Sequence, residues 1–156
     1  MRYIFGIFLF VSVSYSYAAQ TAPAFDLPTD NGKVSLKSLK NQVVYVDFWA
    51  TWCTPCRKSF PWMNDMQKKY KNNGLKIVAI NLDEDKKNIA RFLQKYPANF
   101  TIAFDPDGKS AEAYGVSAMP SSYLVDKKGK LIKKHAGFRE KDQEALEKEF
   151  RKALGL

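Results

Sequence analysis

The sequence predicts an α/β fold in which helices cover both faces of a central mixed β-sheet. Three observations carry this expectation. Val43 to Trp49 (VVYVDFW) and Leu75 to Leu82 (LKIVAINL) are nearly continuous apolar runs rich in β-branched residues, as strands buried on both faces require. Segments with helical spacing of apolar residues stand between and after them. Near the C-terminus, two more runs flank Asp126-Lys127-Lys128-Gly129-Lys130, the pattern of an antiparallel hairpin, which makes the sheet mixed.

The elements follow in order. Ala19 to Pro28 reads as an extended lead-in, because Pro23 and Pro28 both oppose helix. Asp30-Asn31-Gly32-Lys33 is a turn signal. After the first buried strand, Phe60, Met63, Met66 and Tyr70 recur at three- and four-residue steps, which predicts an amphipathic helix from Cys56 that Asn73-Gly74 ends. The second strand is followed by a helix carrying Ile89, Phe92, Leu93 and Tyr96, closed by Pro97. Phe100 to Phe104 is a short third strand, Asp105-Pro106-Asp107-Gly108 a turn, and Lys109 to Tyr114 a brief helix ending at Gly115. Ser121 to Val125 and Leu131 to Phe138 form the hairpin, and Leu146, Phe150 and Leu154 mark a last helix. The predicted order is β-α-β-α-β-α-β-β-α.

At 156 residues the chain has room for one domain, and 46% apolar composition with 14% aromatic residues is enough to build a core without disulfide staples. Its two cysteines are therefore free for chemistry. The net charge is +9, but the lysines fall in short doublets separated by acids and apolar residues. That pattern is a solvated basic surface, not a nucleic-acid groove, and it favours acidic partners.

The first residues have another character. Arg2 gives a positive start, a mostly apolar run spans Tyr3 to Val13, and Ser16 and Ala18 are small residues at the −3 and −1 positions of a cleavage site. Residues 1–18 are thus read as a secretory signal peptide and 19–156 as the mature domain, exported and periplasmic. The alternative, an uncleaved membrane anchor, meets a run shorter than the roughly 20 apolar residues that span a bilayer. Export matters because thiols outside the cytoplasm tend to be oxidised.

Both cysteines lie in Trp52-Cys53-Thr54-Pro55-Cys56, where the first buried strand hands over to the first helix. A thiol at a helix N-terminus meets unpaired N–H groups and the positive end of the helix dipole, which favours its thiolate. Cys53 is then the nucleophile. Cys56, one turn further in, is the more shielded and suits the resolving role. A zinc site would need about four ligands, and one CxxC with a single distant histidine, His135, does not supply them. No metal or cofactor is expected, and His135 is assigned no role. A purely structural disulfide here would close a very short loop and stabilise little. A thioredoxin-like peroxidase would want a threonine three positions before its attacking cysteine, where Ala50 precedes Cys53.

Val46 to Cys56 (VDFWATWCTPC) resembles the active-site segment of thioredoxin-fold oxidoreductases. Met119-Pro120, just before a strand, is similar to the family's cis-proline loop, and Gly137 matches a glycine that often follows in the hairpin. The lead-in from Phe25 to Leu36 and the added helix and strand from Asp85 to Phe104 resemble the exported TlpA/ResA branch; Pro61 is shared by many branches. The likeness runs from about Ala24 to the C-terminus and implies a thioredoxin-like fold with that helix–strand insertion. By resemblance, Cys53 attacks a partner disulfide, Cys56 resolves, and Pro120 faces the pair and presents the backbone at Met119 to an extended substrate. Trp49 and Trp52 are expected to line the site, core being the alternative for either, and Thr54-Pro55 to tune the pair.

Asp47 places a carboxylate inside an apolar strand, which is costly unless it is paired or protonated, so its pKa is expected to be raised. In thioredoxin-like proteins the acid at this position helps move the proton of the second cysteine, which implies the same for Asp47 and Cys56. Many exported relatives carry a non-acidic residue here. The lysine that many thioredoxins place near this acid is absent, Ala79 holding the matching position.

The resemblance implies a protein-disulfide oxidoreductase that reduces disulfides in other exported proteins, apocytochrome c among them, and is itself re-reduced by a membrane donor of the DsbD or CcdA kind. Two rivals stand beside this reading: a disulfide-forming oxidant, and a binding module whose disulfide is idle.

Overall fold

The structure is a computed structural model and describes residues 20–156. The expected signal peptide, residues 1–18, lies outside the described residues. Five strands form the central sheet: β3 (Val43–Trp49), β4 (Leu75–Asn81), β5 (Thr101–Phe104), β6 (Ser121–Val125) and β7 (Leu131–Ala136), in spatial order β5-β4-β3-β6-β7. β3, β4 and β5 run parallel, and β6 and β7 are antiparallel to their neighbours. The sheet is mixed, as the sequence indicates, but the reversal enters at β6, which follows a helix and runs antiparallel to β3; the tight hairpin at Asp126–Lys130 then pairs β7 antiparallel to β6.

Every residue of β3 is buried, since helices cover both of its faces. Its side chains alternate. Val43, Tyr45 and Trp49 enter one apolar cluster with α1 (Thr54–Tyr70), α2 (Lys86–Lys95) and α4 (Gln143–Leu154). Val44, Val46 and Phe48 enter another with α3 (Lys109–Ala113), Phe25 and Val34. Among the described residues no helix is long and apolar enough to cross a membrane.

The lead-in and the start of the first helix differ from the sequence reading in ways that bear on the site. The lead-in is not merely extended: β1 (Asp26–Thr29) pairs antiparallel with β2 (Gly32–Ser35) in a separate hairpin. Pro28 hid this strand, but a two-stranded edge tolerates a residue that cannot donate to a ladder. Helix α1 begins at Thr54, not Cys56, with Pro55 in its first turn, where the missing N–H would have had no helical partner anyway.

Candidate functional site

β3 ends at Trp49, and a tight turn then carries the chain into α1. Cys53 N–H donates to the Ala50 carbonyl at 3.1 Å, while Leu82 N–H donates to the Trp49 carbonyl at 3.1 Å, joining the turn to the end of β4. Asp83 holds the turn from outside. Its carboxylate accepts from Thr51 N–H and from Thr51 Oγ1, each at 2.8 Å, and from Asn81 Nδ2 at 2.8 Å. Asp83 and Thr51 were not singled out in the sequence; the signal was an Asn-x-Asp turn at a strand end, which is common and unspecific.

Cys53 is the N-cap of α1, and its Sγ accepts from Cys56 N–H at 3.3 Å. It is bonded to Cys56. Cys53 is 3% exposed and Cys56 0%, so the second sulfur is the more shielded by a small margin only. Thr54 and Pro55, between them, are exposed. A thiolate formed at Cys53 would sit at the positive end of a 17-residue helix.

The Met119–Pro120 peptide bond is cis. Met119 is half-buried against the cluster that contains both cysteines, and Pro120 is buried. The Pro120 carbonyl accepts from Gly137 N–H at 2.7 Å, and Gly137 has φ of 78°, a conformation that favours glycine. The hairpin glycine therefore ties the proline loop to β7.

The two tryptophans separate. Trp52 is 67% exposed beside Cys53 and offers an aromatic face to an incoming chain. Trp49 is fully buried in the apolar cluster that holds Cys53 and Cys56, packed edge-on against Phe60 at a centroid distance of 4.9 Å and tilted against Phe92 at 4.7 Å. Strand alternation is the reason, because Trp49 shares its side of β3 with Val43 and Tyr45, under α1.

Asp47 lies on that same side, two residues before Trp49, and so faces the helix that carries Cys56. It is 2% exposed, and its Oδ2 has no hydrogen-bond partner. Burial pushes its carboxyl well above the usual carboxylate range. A neutral carboxyl cannot take a proton until it has given up its own; once ionised, a carboxylate with so raised a proton affinity can accept one from a neighbouring thiol. Among the described residues, no group of three or more His, Cys, Asp or Glu side chains could hold a metal ion.

The sequence profile of the family described as Redoxin matches residues 17–154. The chain belongs to the Redoxin family. The thiol-disulfide oxidoreductase ResA of Bacillus subtilis is 41% identical over 113 residues, which are 72% of this chain and 63% of that protein. The ResA of Bacillus thuringiensis subsp. konkukian is 39% identical over 123 residues, 78% of this chain and 71% of that protein. The chain thus spans less than two thirds of the length of the Bacillus subtilis relative. A crystal structure described as a candidate thiol:disulfide interchange protein DsbE from Chlorobium tepidum superimposes with a TM-score of 0.85 at 51% identity, covering 87% of this chain and 96% of that one. The Redoxin domain therefore has a thioredoxin-like fold, and it is a protein-disulfide oxidoreductase domain of the ResA/DsbE type with Cys53–Cys56 as its CxxC pair.

Proposed function

We propose that this protein reduces disulfides in other exported proteins, and that apocytochrome c is one substrate class. The carrying observation is the position of Cys53: an N-cap sulfur, one backbone N–H aimed at it, with the exposed Trp52 beside it. In the reduced protein the Cys53 thiolate attacks one sulfur of a substrate disulfide. A mixed disulfide forms, and the other substrate sulfur leaves as a thiolate that takes a proton from water. Cys56 then gives its proton to Asp47 and attacks Cys53 Sγ, closing the intramolecular disulfide and releasing the second substrate thiolate. Pro120 and Met119 would hold the extended substrate chain against the pair, and Thr54-Pro55 would set its balance.

The direction follows the resemblance of Val46 to Cys56 and of the lead-in from Phe25 to Leu36 to the exported TlpA/ResA branch. The electrons would return from a membrane donor of the DsbD/CcdA kind. Residues 1–18, as a signal peptide, would place the protein in the periplasm, or tether it to the membrane if they are not removed.

Cys56→Ala tests the reading: mixed disulfides should accumulate through Cys53 on exported proteins, and their absence would leave an idle disulfide in a binding module. The reduction potential of the pair decides direction. A value near that of thioredoxin, roughly −270 mV, agrees with a reductase; one near roughly −120 mV would make it an oxidant.

A further inference from the structure

Asp47, Ser122 and His135 occupy in-register positions on three adjacent strands. Asp47 stands opposite Ser122 in the β3–β6 pairing, and Ser122 opposite His135 in the β6–β7 pairing. Cross-strand partners project from the same face with Cβ atoms about 4.5–5.5 Å apart. That face is the one α1 and α4 cover. From α4, Glu149 Oε2 comes within 2.8 Å of His135 Nε2, so a polar row leads from the buried acid to the outer edge of the sheet.

Burial falls along this row. Asp47 is 2% and Ser122 3% exposed, whereas the side chains of His135 and Glu149 are 22% and 27% exposed. The outer pair lines a surface cleft of about 340 Å³ together with Arg139 and Asp142. Tyr45 donates its hydroxyl to Ser122 Oγ at 2.7 Å, which leaves the hydrogen of Ser122 free to be given onward. Asp47 Oδ2 and His135 Nδ1 are buried without hydrogen-bond partners, and Glu149 Oε2, though close to His135, has no aligned donor. Leaving such atoms unpaired in the interior is costly. An apolar row would have packed this face more cheaply, so the row calls for a use.

The dithiol chemistry has one. For Asp47 to take the Cys56 proton during closure it must give up the one that burial holds on it, and on the β4 side it meets only Ala79. We infer that Ser122, His135 and Glu149 form the proton path between Asp47 and solvent, with His135 as the exchange group at its outer end. This rests on the thiol–disulfide reading above. As Cys56 closes onto Cys53 and the substrate thiolate leaves, the Asp47 carboxyl gives its proton to Ser122 Oγ, the Ser122 hydroxyl proton passes to His135, and Asp47 takes the proton of Cys56. His135 releases it to water in the cleft, with Glu149 holding the charged imidazolium. No oxidant beyond the substrate disulfide enters, and the net change is one proton delivered outside.

The charges around His135 are few. From β7 itself comes Lys133, whose Nζ lies 3.4 Å from Glu149 Oε1. α4 contributes Glu149, and the loop between them contributes Arg139 and Asp142, which pair with each other. β6 contributes only the uncharged Ser122. The Lys134 ammonium turns away and donates to the Gly115 carbonyl at 3.0 Å.

The test is His135→Gln, which keeps a polar side chain but cannot exchange a proton. Oxidation of the reduced protein by oxidised glutathione is followed by tryptophan fluorescence in dilute buffer, separating attack by Cys53 from closure by Cys56. The variant should fold, attack at the parent rate and close roughly tenfold more slowly, and added imidazole should restore closure. Closure at the parent rate, or a slowing that imidazole does not relieve, would overturn the path and leave His135 structural. If His135→Gln melts early, Glu149→Gln carries the same expectations. A parent protein that does not react with the disulfide at all would overturn the thiol–disulfide reading and the path with it.

Discussion

Asp47 faces Ala79 directly across the parallel pairing of β3 and β4, so a buried carboxyl meets a methyl group where a cation could have neutralised it. Desolvation therefore acts on it unopposed, and its proton is held well above the ordinary carboxylate range. The folded protein keeps this proton at pH values where the unfolded chain has already lost it. Stability should accordingly fall as pH rises from the ordinary carboxylate value through the folded one. Asp47→Asn removes this dependence. Oxidised variant and parent should unfold alike in urea near pH 4, and the variant should gain roughly 1.4 kcal/mol over the parent for each pH unit of displacement. Cys56 closure should slow in the same variant and lose its pH profile; an unchanged profile would remove Asp47 from the proton transfer.

The two tryptophans should respond in opposite ways. Trp52→Ala removes an exposed ring, so stability should stay within about 0.5 kcal/mol of the parent while KM for protein disulfides rises. Trp49→Ala opens a cavity between Phe60 and Phe92 and should cost about 3–5 kcal/mol. Thermal unfolding with a steady-state assay on a protein disulfide separates the two.

Asp83→Ala strips the acceptor from Thr51 N–H, Thr51 Oγ1 and Asn81 Nδ2 together. The expected loss is about 1–3 kcal/mol, with faster amide exchange at Thr51, Trp52 and Cys53. Amide exchange confined to chain ends, with these three as protected as in the parent, would show that the turn holds itself.

Glu147 on α4 pairs with Lys69 and accepts from the Tyr70 hydroxyl, both at the end of α1. The Lys69 and Tyr70 hydrogen bonds hold its carboxyl below the usual range. Stability from this contact is present above the ordinary carboxylate value and lost as pH falls through the folded one. Glu147→Gln should thus be less stable than the parent by up to about 1 kcal/mol near pH 7, a modest figure because the lysine is solvated. The difference should vanish in acid, as urea unfolding at the two pH values would read.

By itself the sequence determined the features that depend on neighbours along the chain. VVYVDFW is a buried strand because nearly every residue in it is apolar, and both cysteines stand where a strand hands over to a helix because the period changes from Cys56. Met119-Pro120 and Gly137 mark their loops by residue type. The tertiary structure alone decided what depends on which strands lie side by side. A run apolar throughout does not say which of its faces meets which helix, so nothing local placed Trp49 under α1 in the cluster with both cysteines while Trp52 stays exposed. The β1–β2 hairpin stayed hidden behind Pro28 because its pairing tolerates a missing donor. The strand order β5-β4-β3-β6-β7 puts Ala79 on one side of Asp47 and Ser122 on the other, and carries the row on to His135. No local period announces such a row: its members are set by sheet register, which arises only when distant segments pair.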